Sequence, residues 1–189
     1  MENRLSHDMF NAKVYGLVFF FCAGLFVISS GVSVDAKGPD SGSDQSRVEL
    51  ERFILKWTNQ ERTHRKLPTL RTNIALGMLA QTHSQDQARA RLMAHNSDKF
   101  PTGRQTFDER MKTLKFQKPV IYGENIFWTS RGYPATLSGR DEYAHKIVRA
   151  WMNSPGHRKN ILNPEFKSMG IGFFDGYVTQ LFSSREHVS

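Results

Sequence analysis

MGIGFFDGYVTQLF, residues 169–182, is the stretch that decides the fold class. Two runs rich in aromatic and β-branched residues, Met169 to Phe174 and Tyr177 to Phe182, flank Asp175-Gly176. An Asp-Gly pair between such runs is the strongest short-range signal of a two-residue β-hairpin. A third run, Gly123 to Trp128 (GENIFW), is short and aromatic and reads as extended as well.

Working outward, the segments before the hairpin read as helices. WMNSPGHRKNIL, residues 151–162, ends one helix at Ser154-Pro155 and offers an N-cap and a first-turn proline for another short one. That short helix carries His157 near its start, directly behind Gly156. Glycine admits conformations and close approaches denied to other residues, so His157 is either held at a tight corner or presented into a cleft. The helix before it has Ala144, Ile147, Val148 and Trp151 at i, i+3, i+4 and i+7, with Ser138 and Asp141 as the expected caps. Thr106-Phe-Asp-Glu109 is a capping box opening a short helix through Phe107, Met111 and Leu114. From Asn73, the residues Leu76, Leu79, Ala80 and His83 share one stripe that Gln87 continues. Ser46-Arg-Val-Glu49 is another capping box, and Leu50, Phe53, Ile54 and Trp57 predict a first helix to about Arg65. Helices around a small, mostly antiparallel sheet predict an α+β fold, a three-layer sandwich, in one domain over 46–184 with a tail at 185–189.

Ahead of that domain lies VYGLVFFFCAGLFVISSGVSV, residues 14–34, uncharged until Asp35. With the small residues Val34 and Ala36 it reads as a secretory signal cut after Ala36. The alternative is a retained membrane anchor over 14–34, since the stretch approaches the ~20 residues that span a bilayer. KGPDSGSDQ, residues 37–45, is a polar linker. Cys22 is the single cysteine and lies inside the apolar stretch, so a cleaved chain has neither disulfides nor thiolate chemistry. Removing residues 1–36 deletes two cations (Arg4, Lys13) and three anions (Glu2, Asp8, Asp35), taking the formal charge from +8 to +9. A basic exported protein is drawn to anionic lipid, cell-wall polymer or glycan surfaces. Its cations are scattered and no helix-turn-helix or RNA-binding signature is present, so nucleic acid is not an expected partner.

AHNS at 94–97, GENI at 123–126, WMNSPGHRKNILNPEFKSMGIG at 151–172 and YVTQLF at 177–182 occur in order, with NQERTHRKLPTL upstream. This ordered set resembles the CAP superfamily, or SCP domain (cysteine-rich secretory proteins, antigen 5 and pathogenesis-related proteins of group one), in its bacterial, cysteine-poor branch. The resemblance covers about Val48 to Phe182 and implies an α-β-α sandwich. It also implies that His95, Glu124 and His157 meet at the floor of a shallow cleft; Trp128 follows the GEN segment closely enough in sequence to line it. Two imidazoles and a carboxylate with an open water position suit Zn2+ or another divalent cation. Many eukaryotic members carry a second glutamate just after the fourth-helix tryptophan; this chain reads Met152-Asn153-Ser154 there, with no negative charge.

Plainer readings stand beside these. Glu124 caps a loop, His157 is a satisfied turn residue, His83 is a hydrogen-bonded core histidine, and His145 is solvated. Trp57, Trp128 and Trp151 are core and not a stacking platform, Asn160 bonds backbone, and His64 and His187 have no supporting pattern. Three functions follow: an exported module binding an envelope lipid, sterol or glycan; a metal-dependent hydrolase with Glu124 as ligand or base; and a protein–protein interaction module. No serine elbow, HExxH helix or thiol nucleophile is present, so the binding module is preferred to an enzyme.

Overall fold

The computed structural model describes residues 44–115 and 120–186. The expected signal or anchor, Cys22, most of the linker and His187 lie outside the described residues. In chain order the elements are α1 (Asp44–Thr63), β1 (Arg71–Thr72), α2 (Ile74–Ala90), α3 (Phe107–Lys112), β2 (Tyr122–Trp128), α4 (Leu137–Asn153), α5 (Pro155–Ile161), β3 (Ser168–Phe174) and β4 (Tyr177–Ser183). Among the described residues no helix is long and apolar enough to cross a membrane.

The strands form one sheet in the order β1-β3-β4-β2. The hairpin expected from Asp175-Gly176 joins β3 to β4, and both turn residues have positive φ, 46° and 79°, as a primed two-residue turn requires. β2 lies antiparallel on the other edge of β4, pairing Glu124 with Leu181 and Trp128 with Tyr177. The two-residue β1, parallel to β3, was not legible in the sequence because it is too short to show any period. Side chains alternate across the sheet, so its two faces carry different layers. Leu76, Leu79 and Ala80 of α2 meet Leu181 and the α3 residue Met111 on one face. On the other, Leu50 and Ile54 of α1, Ile147 and Trp151 of α4 and Ile161 of α5 pack on Phe173, Val178 and Phe182. The result is the three-layer α-β-α sandwich.

Glycine decides how closely one layer sits. A Cβ on Gly172 would lie 2.1 Å from the Ala80 carbonyl, and one on Gly170 would lie 2.2 Å from the Gly77 nitrogen. The two glycines stand on one face of β3, and their missing side chains let the α2 backbone rest directly on the strand. That contact sets the depth at which His83 of α2 enters the interior.

Three expected details are corrected. α1 begins at Asp44, so Ser46 is not its cap; Ser46 is buried on the inner face. The N-cap of α4 is Thr136, whose side chain accepts from the Gly139 N–H, in place of Ser138 or Asp141. Asp141 instead accepts from the Trp57 indole at 2.8 Å and from Lys56. His145 is not merely solvated: its ring stacks on Trp57 with centroids 3.9 Å apart. By contrast, the Thr106 capping box of α3 forms in full.

Candidate functional site

Glu124 lies on the edge strand β2, on the sheet face that α2 covers, with 3 % of its side chain exposed. Three segments converge on it. The Arg110 guanidinium of α3 donates through one nitrogen to both carboxylate oxygens, at 2.8 and 3.0 Å. The same guanidinium donates to the His95 carbonyl at 2.8 Å and to the Arg104 carbonyl at 3.2 Å. His95, in the loop after α2, approaches Glu124 Oε1 through Nδ1 at 2.8 Å. An ionised carboxylate only accepts, so the Nδ1–H of His95 donates and Nε2 is left facing outward. His83 of α2 is fully buried, its Nε2 3.7 Å from Glu124 Oε2, beyond hydrogen-bond reach.

The electrostatics follow from these distances. Burial pushes the Glu124 carboxyl up, but the His95 hydrogen bond and the charges of His83 and Arg110 outweigh it, and the group stays below its ordinary range. Burial pushes His83 down to about 4, against the pull of Glu124 and Asp86. His83 is therefore uncharged near neutrality, and there the His95 bond and the Arg110 pair hold Glu124 ionised. His83 is a core histidine, as expected; its ring nitrogens make no hydrogen bond of good geometry, and the Ala94 backbone is the polar group that raises its pKa by hydrogen bonding.

His157 arrives from the opposite layer. Asn160 of α5 donates to the Glu124 carbonyl and to Asn125 Oδ1, both at 3.0 Å, and Asn125 donates to the His157 carbonyl at 3.3 Å. Arg62, itself fully buried, ties down the end of α5 by donating to the Ile161 and Asn163 carbonyls at 2.8 Å. Asn160 thus bonds backbone, as expected, and registers α5 against β2. The His157 ring lies 6.1 Å from the His95 ring, centroid to centroid. Burial and the neighbouring His95 both push His157 down, so it is neutral at pH 7. Gly156 needs no special explanation: a Cβ there would meet nothing, and its place is the first turn of α5.

The structure thus brings His95, Glu124 and His157 together and adds Arg110 and His83. Trp128 lies elsewhere. It is four residues further along β2 on the same face, about 13 Å from Glu124 at ~3.3 Å per residue. There it lines a separate pocket with Tyr177 and Met93. Arg110 was missed in the sequence, although it occupies a position beside Met111 on the apolar stripe of α3, where a cation is out of place.

Among the described residues, no three His, Cys, Asp or Glu side chains are grouped to hold a metal ion. Both oxygens of Glu124 are already engaged. The donors that remain are the outward nitrogens of two imidazoles, one oriented by a carboxylate at its other nitrogen, an arrangement in which the carboxylate supports a histidine ligand without touching the ion.

Residues 55–182 match the family model described as the cysteine-rich secretory protein family, CAP. The chain is 34 % identical over 125 residues to the uncharacterized protein YkwD of Bacillus subtilis, covering 66 % of this chain and 42 % of that one. It is 30 % identical over 193 residues to the uncharacterized membrane protein YlbC of the same organism, covering 98 % of this chain and 51 % of that one. The chain therefore spans about half or less of the curated relatives it matches. A solved structure, an extracellular protein containing an SCP domain from Bacillus anthracis, superposes with a TM-score of 0.57 at 30 % identity, over 72 % of this chain and 40 % of that one. The chain belongs to the cysteine-rich secretory protein, or CAP, family.

Proposed function

We propose that this CAP domain is an exported ligand-binding module of the cell envelope, taking a lipid, sterol or glycan at the cleft between His95 and His157. The observation that carries the reading is the state of Glu124. A carboxylate buried, paired with Arg110 through both oxygens and bonded to His95 is a weak base and a reluctant metal ligand. What the cleft offers a ligand is two imidazole edges over a fixed charge pair, suited to hydrogen-bonding a hydroxyl or carbonyl. Zn2+ or another divalent cation held by His95 and His157 would supply an electrophilic anchor for a ligand oxygen. Export rests on the apolar segment at 14–34, and the net charge of +8 favours an anionic surface.

The test is mass spectrometry of the protein purified from a secreting host with its envelope intact. The reading expects an envelope lipid, sterol or glycan that co-purifies and is lost from a folded His95→Ala, His157→Ala variant. Recovery of none, or of equal amounts from the variant, would contradict it.

A second reading has one observation in its favour. A carboxylate that fixes the tautomer of an imidazole is also how hydrolases prepare a general base. In that case Glu124→Gln, compared where circular dichroism shows the variant folded despite the stranded Arg110, abolishes turnover, whereas the binding module retains its ligand.

A further inference from the structure

The Trp128 pocket is a cavity of about 480 Å3, within the size range of small-molecule sites. Its wall is aromatic on one side: Trp128 is 47 % exposed, and Tyr177 lies beneath it with ring centroids 5.9 Å apart. Two arginines complete it, Arg91 at the C-cap of α2 and Arg131 in the loop after β2. Both are exposed, and neither guanidinium has a hydrogen-bond or ion-pair partner among the described residues. Asp175 also lines the pocket but pairs with neither, so the wall keeps a net positive charge.

Arg91 occupies its position at a cost. It is the left-handed C-cap of α2, with φ 50° and ψ 42°, where helices ordinarily place glycine. The fold accepts the steric penalty of a side chain there, and that side chain reaches the pocket.

We infer that this pocket binds an acidic saccharide, a sugar bearing a carboxylate or phosphate, with the sugar ring stacked on Trp128 and the acid held by Arg91 and Arg131. An aromatic face beside unpaired guanidiniums matches that chemistry: the ring takes the apolar C–H face of a sugar and the forks take the acid. A simple lipid tail would leave both cations unused. This site is separate from the His95–His157 cleft and does not depend on it.

The experiment titrates the full chain with trigalacturonic acid, glucose 6-phosphate and neutral maltotriose, following tryptophan fluorescence and the Trp128 indole resonance by NMR. Trigalacturonic acid and glucose 6-phosphate distinguish a carboxylate from a phosphate source. One of the two should bind saturably, and maltotriose should bind about tenfold more weakly or worse, as expected for loss of a charge-assisted contact. Trp128→Ala and the pair Arg91→Gly, Arg131→Ser should each weaken binding about tenfold, while His95→Ala, His157→Ala leaves it unchanged. Arg91→Gly also supplies the residue the C-cap prefers, so loss of binding there cannot be blamed on unfolding. Binding lost in the histidine variant but kept in the pocket variants would overturn this pocket and leave the cleft reading standing. No saturable binding of either acid, or equal affinity for maltotriose, would overturn the proposal outright.

Discussion

Replacing Arg110 by Met removes the cation that makes a buried carboxylate tolerable. With 1 % and 3 % of their side chains exposed, Arg110 and Glu124 form a buried ion pair, and Arg110 also satisfies the carbonyls of His95 and Arg104. Removing one member of such a pair strands the other charge and costs about 3–5 kcal/mol. A domain of this size has ~5–15 kcal/mol in all, so about a fifth or more of its stability is at stake. Urea denaturation at pH 7 should therefore show a fall of about 3–5 kcal/mol in Arg110→Met. The pH dependence carries a second check. With Arg110 gone, two of the influences that hold the Glu124 carboxyl down are lost, and it moves upward relative to the parent protein. A carboxyl depressed less by folding loses less stability on acidification, so the deficit should shrink as pH falls through the carboxylate range, below about 5. Arg110→Met combined with Glu124→Gln should recover about 2 kcal/mol or more, because no stranded charge remains. A loss below about 1 kcal/mol at pH 7, unchanged by acidification, would refute the reasoning.

Other expectations follow from single residues. His83 is held at about 4 in the fold against about 6.5 unfolded, so the unfolded chain takes up a proton the fold refuses; stability should fall by about 3 kcal/mol between pH 6.5 and 4, and His83→Leu should flatten that part of the curve. Gly172→Ala places a Cβ 2.1 Å from the Ala80 backbone and should lower stability by about 1–3 kcal/mol or more by thermal denaturation, since helix and strand must separate. Gly156→Ala meets nothing and lies in a helix, so it should raise stability by about 0.5–1 kcal/mol in the same assay and leave ligand recovery unchanged.

The sequence revealed the parts whose causes are local. The Asp175-Gly176 turn, the Thr106 capping box and the Pro155 start of α5 each rest on a few adjacent residues, and all three are present. Where several polar residues compete for one cap, as with Thr136, Ser138 and Asp141, only the packing of Asp141 against Trp57 decides among them. The ion pair at the heart of the site was hidden for a different reason. His83, His95, Arg110 and Glu124 come from a helix, a loop, a second helix and a strand, and their meeting is a property of the sandwich that no spacing rule contains. His95, Glu124 and His157 are legible only through family resemblance, and Trp128 only through its nearness in sequence to the GEN segment. The separation of Trp128 follows from strand geometry, since four residues along β2 carry it about 13 Å away.

The central claim is that Glu124 is an ionised, Arg110-paired carboxylate that orients His95 and is not itself a ligand or base. The most direct test is 13C NMR of the Glu124 side-chain carboxyl, first through a pH titration and then through a Zn2+ titration. The account expects a carboxyl that titrates below its ordinary 4.5 and does not move when Zn2+ is added, even if the His95 and His157 resonances do. A carboxyl that titrates above that value, or shifts with Zn2+ as a ligand would, contradicts it.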